Sequence, residues 1–85
     1  MESIGIIGIM IKDRIKEANK TQAVLSKHGN IIKSRLGFHE VSESTCSRVG
    51  VMLLQLAGNN EDRQSFLKDL SAIEGIEIQQ IKFEY

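Results

Sequence analysis

The feature that most limits what this chain can fold into is punctuation that occurs twice. Asp13 and Asn59 stand 46 residues apart, and so do Gly29 and Gly75. Each half therefore runs from an apolar stretch to a short polar side chain, then sixteen residues to a glycine, then into a second apolar stretch. Asp or Asn at the first position can accept from the free amides of a first helical turn, and glycine at the second can take the left-handed conformation that ends a helix. Ile15, Ala18, Val24 and Leu25 roughly keep helical spacing in the first interval, and Phe66, Leu67, Leu70 and Ile73 keep it better in the second. The pattern predicts β1 at 3–11, α1 at 14–28, β2 at 30–39, β3 at 47–57, α2 at 60–73 and β4 at 76–83, with Asn60 an alternative cap for α2. That is a βαβ unit written twice.

Two such units in 85 residues predict a ferredoxin-like α+β sandwich. In that βαββαβ fold a four-stranded antiparallel sheet of order 4-1-3-2 carries two helices on one face. The strands agree with the order. Side chains alternate along a strand, so Ile4, Ile6 and Met10 of β1 oppose Ile7, Ile9 and Ile11, and in β3 Val49, Val51 and Leu53 oppose Met52, Leu54 and Leu56. Both central strands are apolar on both faces. β2 alternates Ile32, Leu36 and Phe38 with Lys33, Arg35 and His39, and β4 mixes Ile76 and Ile78 with Glu77 and Gln79, as suits half-covered edge strands. Two helices cover one sheet face only, so the second apolar face predicts a homo-oligomer joined through it. The competing expectation is that a loop, or the tail Lys82 to Tyr85, covers that face.

Composition narrows the function classes. Eleven basic and eleven acidic residues cancel and neither sign forms a block, which argues against direct nucleic-acid binding and against an anionic membrane surface. The central strands carry no aromatic residue, so the sheet offers no base-stacking platform. A single cysteine cannot close an internal disulfide, and no signal-like opening or span-length apolar run is present, so a cytoplasmic protein is expected. With no proline and no linker composition, residues 1–85 read as one domain.

Little in the chain points to catalysis. Gly5 and Gly8 form a Gly-x-x-Gly inside β1 without the loop or the Gly-Lys-Ser/Thr of a phosphate cradle; glycines within strands more often allow a backbone or an aromatic ring to approach closely. Ser42, Ser44, Thr45 and Ser47 have His39 as a nearby base and no acid to orient it, so no hydrolytic triad is expected. No cofactor is expected either.

Three segments resemble a known family: the opening "SIGIIGIMIKDR", the hairpin "SRLGFHEVSESTCSRVGVMLLQLAG" and the ending "LSAIEGIEIQQIKF". They are similar, essentially end to end, to the iron-only hydrogenase system regulators, with Arg35-x-Gly37 as a short signature. The resemblance implies an ACT-like domain, kinship with the C-terminal half of the nickel-responsive repressor, and a regulatory, non-enzymatic role. This chain departs from the family's pattern in Phe38 and His39, where Tyr or Pro is common, and in Arg63, Phe66 and Lys68, where small residues are favoured. By the same resemblance, a small effector is expected at a subunit boundary near the ends of β1 and β2. Its candidate residues are Asp13 and Arg14 after β1, Gly29 and Asn30 before β2, and Arg35, Gly37 and His39 along its far end.

The repressor's metal site combines a His-x-His pair, a following cysteine and a histidine from a neighbouring subunit. That pair would fall here on Gly37 and His39, so one ligand is missing, while Cys46 follows His39 by seven residues. A metal sensor using His39 and Cys46 across a dimer is thus the alternative expectation. His28, at the predicted end of α1, suits an interaction with the helix C-terminus instead.

Overall fold

A computed structural model describes residues 3–38 and 49–85 of the chain. The elements are β1 (Ser3–Ile11), α1 (Arg14–Lys27), a 3-10 turn (Gly29–Ile31), β2 (Ile32–Phe38), β3 (Gly50–Leu56), α2 (Asn60–Ser71) and β4 (Ile76–Glu84). The strands form one sheet in the order β2-β3-β1-β4, all neighbours antiparallel. This is the ferredoxin-like α+β arrangement predicted from the doubled pattern. No helix among the described residues is long and apolar enough to cross a membrane.

Both helix starts are capped as the sequence suggests. Asp13 Oδ1 accepts from the amides of Ile15 and Lys16, each at 3.2 Å, and Asn59, rather than Asn60, accepts from Asp62 N at 2.8 Å. The glycines behave differently from the prediction. Gly29 does not take a positive φ; α1 is capped by His28, and Gly29 opens the 3-10 turn that leads into β2. Gly75 does have φ +80°, but α2 has already ended at Ser71, so Gly75 shapes the turn into β4, where its carbonyl accepts from Lys12 N.

The core lies between the helices and one face of the sheet. Ile7, Ile9 and Ile11 of β1 and Leu54 and Leu56 of β3 pack there with Leu25, Ile31, Phe66 and Leu70. The buried stripe of α1 differs from the one its apolar residues suggest. Ile15 is 63% exposed and Ala18 is exposed, whereas Glu17, Thr21, Leu25 and His28 are buried. Thr21 solves its polar burial locally by donating its hydroxyl to the Glu17 carbonyl at 2.9 Å, a bond open to Thr in a helix interior.

The opposite sheet face carries no helix. Ile4, Ile6 and Met10 are half-buried there, while Leu53 and Val49 are each 40% exposed. The tail does not cross this face, because residues through Glu84 are paired in β4 and Tyr85 is exposed.

Along both edge strands the apolar residues move from the core face to the open face, in β2 through a break in register and in β4 with the alternation unbroken. In β2 the register shifts between Ile32 and Ser34, so Ile32 packs toward the core while Leu36 shares the open face with its partner Leu53. In β4, Ile76 and Ile78 pack on the core, but Ile81 and Phe83, paired with Ile6 and Ile4, fall on the open face. That leaves Gln80 and Lys82 on the helix side.

Candidate functional site

The β2 register shift and the polar helix-side positions of β4 meet at one end of the sheet, where β1 begins, β3 and β4 end, and α2 starts. Asn59 caps α2, and one turn in, Arg63 lies back across the strands. Its Nε donates to Ala57 O at 3.2 Å, Nη1 to Ser3 Oγ at 3.1 Å, and Nη2 to Leu56 O at 3.3 Å and Ser3 O at 3.5 Å. Every one of these acceptors is neutral. They fix the guanidinium's position and leave its charge without a counter-anion among the described residues.

Gly5 makes this placement possible. A Cβ there would stand 3.2 Å from Arg63 Nη1, tighter than ordinary van der Waals contact. A glycine inside a strand marks a close approach, and here the approaching group is the guanidinium. Gly58, with φ +80°, turns the chain from β3 into the α2 cap, and a Cβ there would meet Ile31 Cγ2 at 2.8 Å.

Two lysines complete the charged wall. Lys33 is the extra residue where the β2–β3 register shifts, and a bulge of this kind re-aims a side chain out of the strand's alternation. Lys82, opposite Gly5, lies on the helix side by the regular alternation of β4, and its Nζ pairs with Glu84 Oε1 at 3.3 Å, both side chains more than half exposed. Such exposed pairs hold their partners weakly.

Together these residues line a cleft of about 520 Å³. Lys33, Arg63 and Lys82 supply its charge, Asn59, Asn60 and Gln55 its amides, and Ile4, Leu56 and Tyr85 its apolar wall. No Asp or Glu is among its described lining residues. A smaller recess of about 90 Å³ continues from it between α2 and β4, past Arg63, Gln64, Leu67 and Gln80. The first turn of α2 opens beside it, and helix starts carry amides without intrahelical acceptors and a partial positive charge. A basic concavity of this size suits an anionic small molecule.

The effector residues expected from the sequence do not gather in one place. Asp13 and Arg14 follow β1 at the opposite end of the sheet from the cleft, the end to which Gly37 of β2 also belongs. Gly29 and Asn30 lie between α1 and β2, at the cleft's end of the molecule. Arg35 sits midway along β2 and donates to Gln22 Oε1 of α1 at 3.3 Å. A Cβ at Gly37 would meet open space. His39 and Cys46, the metal alternative, lie outside the described residues; among the described residues no three His, Cys, Asp or Glu side chains come together as a metal site would need.

His28 has a more specific partner than the helix terminus. Its Nε2 meets Asp69 Oδ2 of α2 at 2.7 Å, Lys27 Nζ reaches the same oxygen at 3.0 Å, and the imidazole rests on Phe66 with ring centroids 5.2 Å apart. The hydrogen bond from His28, then that from Lys27, holds the Asp69 carboxyl below its ordinary value. This cluster ties the two helices together. Glu17, by contrast, is buried with Oε2 lacking a hydrogen-bond partner among the described residues.

Comparison with known proteins agrees with this architecture. The family model TM1266-like, described as "Iron-only hydrogenase system regulator, putative", matches residues 3–80. Among solved structures, the uncharacterized protein TM1266 from Thermotoga maritima superposes with a TM-score of 0.80 at 21% identity, covering 98% of this chain and 100% of that one. CPII, a nitrogen regulatory PII-like protein from Thiomonas intermedia K12 bound to ADP, AMP and bicarbonate, superposes with a TM-score of 0.59 at 11% identity, covering 99% of this chain and 93% of that one. At these identities the structural likeness speaks for the fold. No curated protein matches the chain.

Proposed function

The chain belongs to the TM1266-like family, and on that premise we propose that it is a cytoplasmic, non-enzymatic regulatory module of one ACT-like domain. It self-associates through the open face of its sheet and binds a small effector. The family's description as an iron-only hydrogenase system regulator supports a role in such a system.

The observation that carries this reading is the apolar open face. Leu36 is 60% exposed and Leu53 40%, side by side on paired strands, and Ile81 and Phe83 are 54% and 53% exposed beside Ile6 and Ile4. Burial against a second copy contributes about 2.5 kcal/mol for every ~100 Å² of apolar surface. Association costs roughly 4–15 kcal/mol in lost freedom. A sheet-on-sheet contact of several hundred Å² meets that requirement. An effector that binds only the assembled form then shifts assembly by mass action, which is a means of regulation without chemistry. The residues Asp13, Arg14 and Gly37 at one end of the sheet, Arg35 midway, Gly29 and Asn30 at the other end, and His39, outside the described residues, are the candidates for that boundary.

Light scattering on the full chain tests the assembly. The expected mass is a multiple of 9.5 kDa, falling to the monomer in Leu53→Asp, which places a charge in the middle of the face without touching the core. A wild-type monomer at micromolar concentration would sink the proposal, since it is the result expected if segment 39–48 of the same chain occupied the face.

A further inference from the structure

We propose that the cleft around Arg63 is a binding site for a small phosphate-bearing molecule. This deepens the reading of an effector-binding module and rests on it, while placing the effector on residues other than those the sequence singled out.

Two local irregularities of independent origin and one regular strand position open onto this cleft, and each delivers or admits positive charge. The strand glycine Gly5 leaves the space in which the Arg63 guanidinium lies. The register shift at Ile32/Ser34 makes Lys33 the extra residue of β2, on the cleft wall. The unbroken alternation of β4, paired Gly5 to Lys82, puts Lys82 on the same wall, two pairs beyond the last core isoleucine, Ile78. Locally unfavourable choices that point to one place are the mark of a site rather than of a scaffold.

The electrostatics select the ligand's charge. Arg63 is held by four neutral oxygens, so its orientation is fixed before any ligand arrives, and among the described residues its charge meets no counter-anion. Lys33 has no ion pair among the described residues, and Lys82 has only its exposed partner Glu84. Glu61 and Asp62 in the first turn of α2 do not line the cleft. Three cations, with the α2 amides beside them, match the charge and the several acceptor oxygens of a phosphate group. The volume of about 520 Å³ exceeds what inorganic phosphate fills, and the apolar wall of Ile4, Leu56 and Tyr85 gives an organic portion somewhere to lie.

Calorimetric titration of the full chain at low ionic strength tests this, with inorganic pyrophosphate, adenosine diphosphate and adenosine as probes. Either phosphate-bearing probe should bind at one per chain, weaken as salt is added, and lose about tenfold or more in affinity in Lys33→Ala/Lys82→Ala. Arg63→Gln should lose at least as much; because Arg63 also ties strands together, the lysine double variant, confirmed folded by circular dichroism, is the deciding one. Adenosine should not bind. Absence of binding by both phosphate-bearing probes, affinity unchanged in the folded lysine variant, or adenosine binding as tightly as the diphosphate would overturn the assignment. Assembly is read separately by light scattering with and without probe, so a monomeric protein that binds, or an oligomer that does not, tells the two proposals apart.

Discussion

Single residues in this protein do work that their types do not announce. Gly29 and Gly58 are the clearest pair. Gly29 has no positive φ and nothing within 4 Å of a Cβ, while Gly58 has φ +80° and a Cβ position 2.8 Å from Ile31 Cγ2. Gly29→Ala should therefore be neutral or stabilise by up to about 1 kcal/mol through the unfolded chain, whereas Gly58→Ala should destabilise by about 1–3 kcal/mol. Urea midpoints of the two variants check this; equal shifts would contradict the assigned conformations. Asp69 makes a second, pH-dependent prediction. Its carboxyl is held below its ordinary value of 3.8 chiefly by the His28 hydrogen bond and then by Lys27. A lowered folded value means that the unfolded chain takes up the proton first, so the stabilisation is complete above the ordinary value and is lost as pH falls through the folded one. Urea midpoints of Asp69→Asn should fall less steeply with acid than those of the wild type, and parallel curves would refute the linkage.

At the level of elements, legibility followed how much of an element's environment lies within itself. β1 and β3 were readable because a central strand of this sheet is apolar on both of its faces, and the caps because Asp13 and Asn59 act on amides only two or three residues away. α1 was misread at Ile15 because its inward face depends on partners from other elements: Glu17 beside Gly75, and His28 on Asp69 and Phe66. Neither pairing can be seen from hydrophobic spacing. The cleft was illegible for the same reason, since Lys33, Arg63 and Lys82 come from three different elements; only Gly5 hinted at a close approach, without naming Arg63. The difference between pattern and packing is measurable. Ile15→Ser, on the exposed side of α1, should change stability by no more than about 0.5 kcal/mol, while Leu54→Ala in the fully buried part of β3 should cost about 2–5 kcal/mol. Thermal or urea unfolding separates them.

For the whole molecule, the surfaces proposed for assembly and for binding share one strand. Gln80 and Lys82 of β4 border the recess and cleft beside α2, and Ile81 and Phe83, interleaved with them, belong to the uncovered side of the sheet. If assembly proceeds through that side, the unfolding temperature should rise with protein concentration. It should lose that dependence in Leu53→Asp, as scanning calorimetry at two concentrations would show. A strand is a single layer of peptide with a front and a back. Clamping Ile81 and Phe83 from behind settles where Gln80 and Lys82 stand in front, and drawing Lys82 toward an anion tilts the same backbone against whatever lies behind it. Such a ribbon acts as a common wall between two rooms, and thermodynamic reciprocity requires each occupant to alter the other's affinity by the same factor.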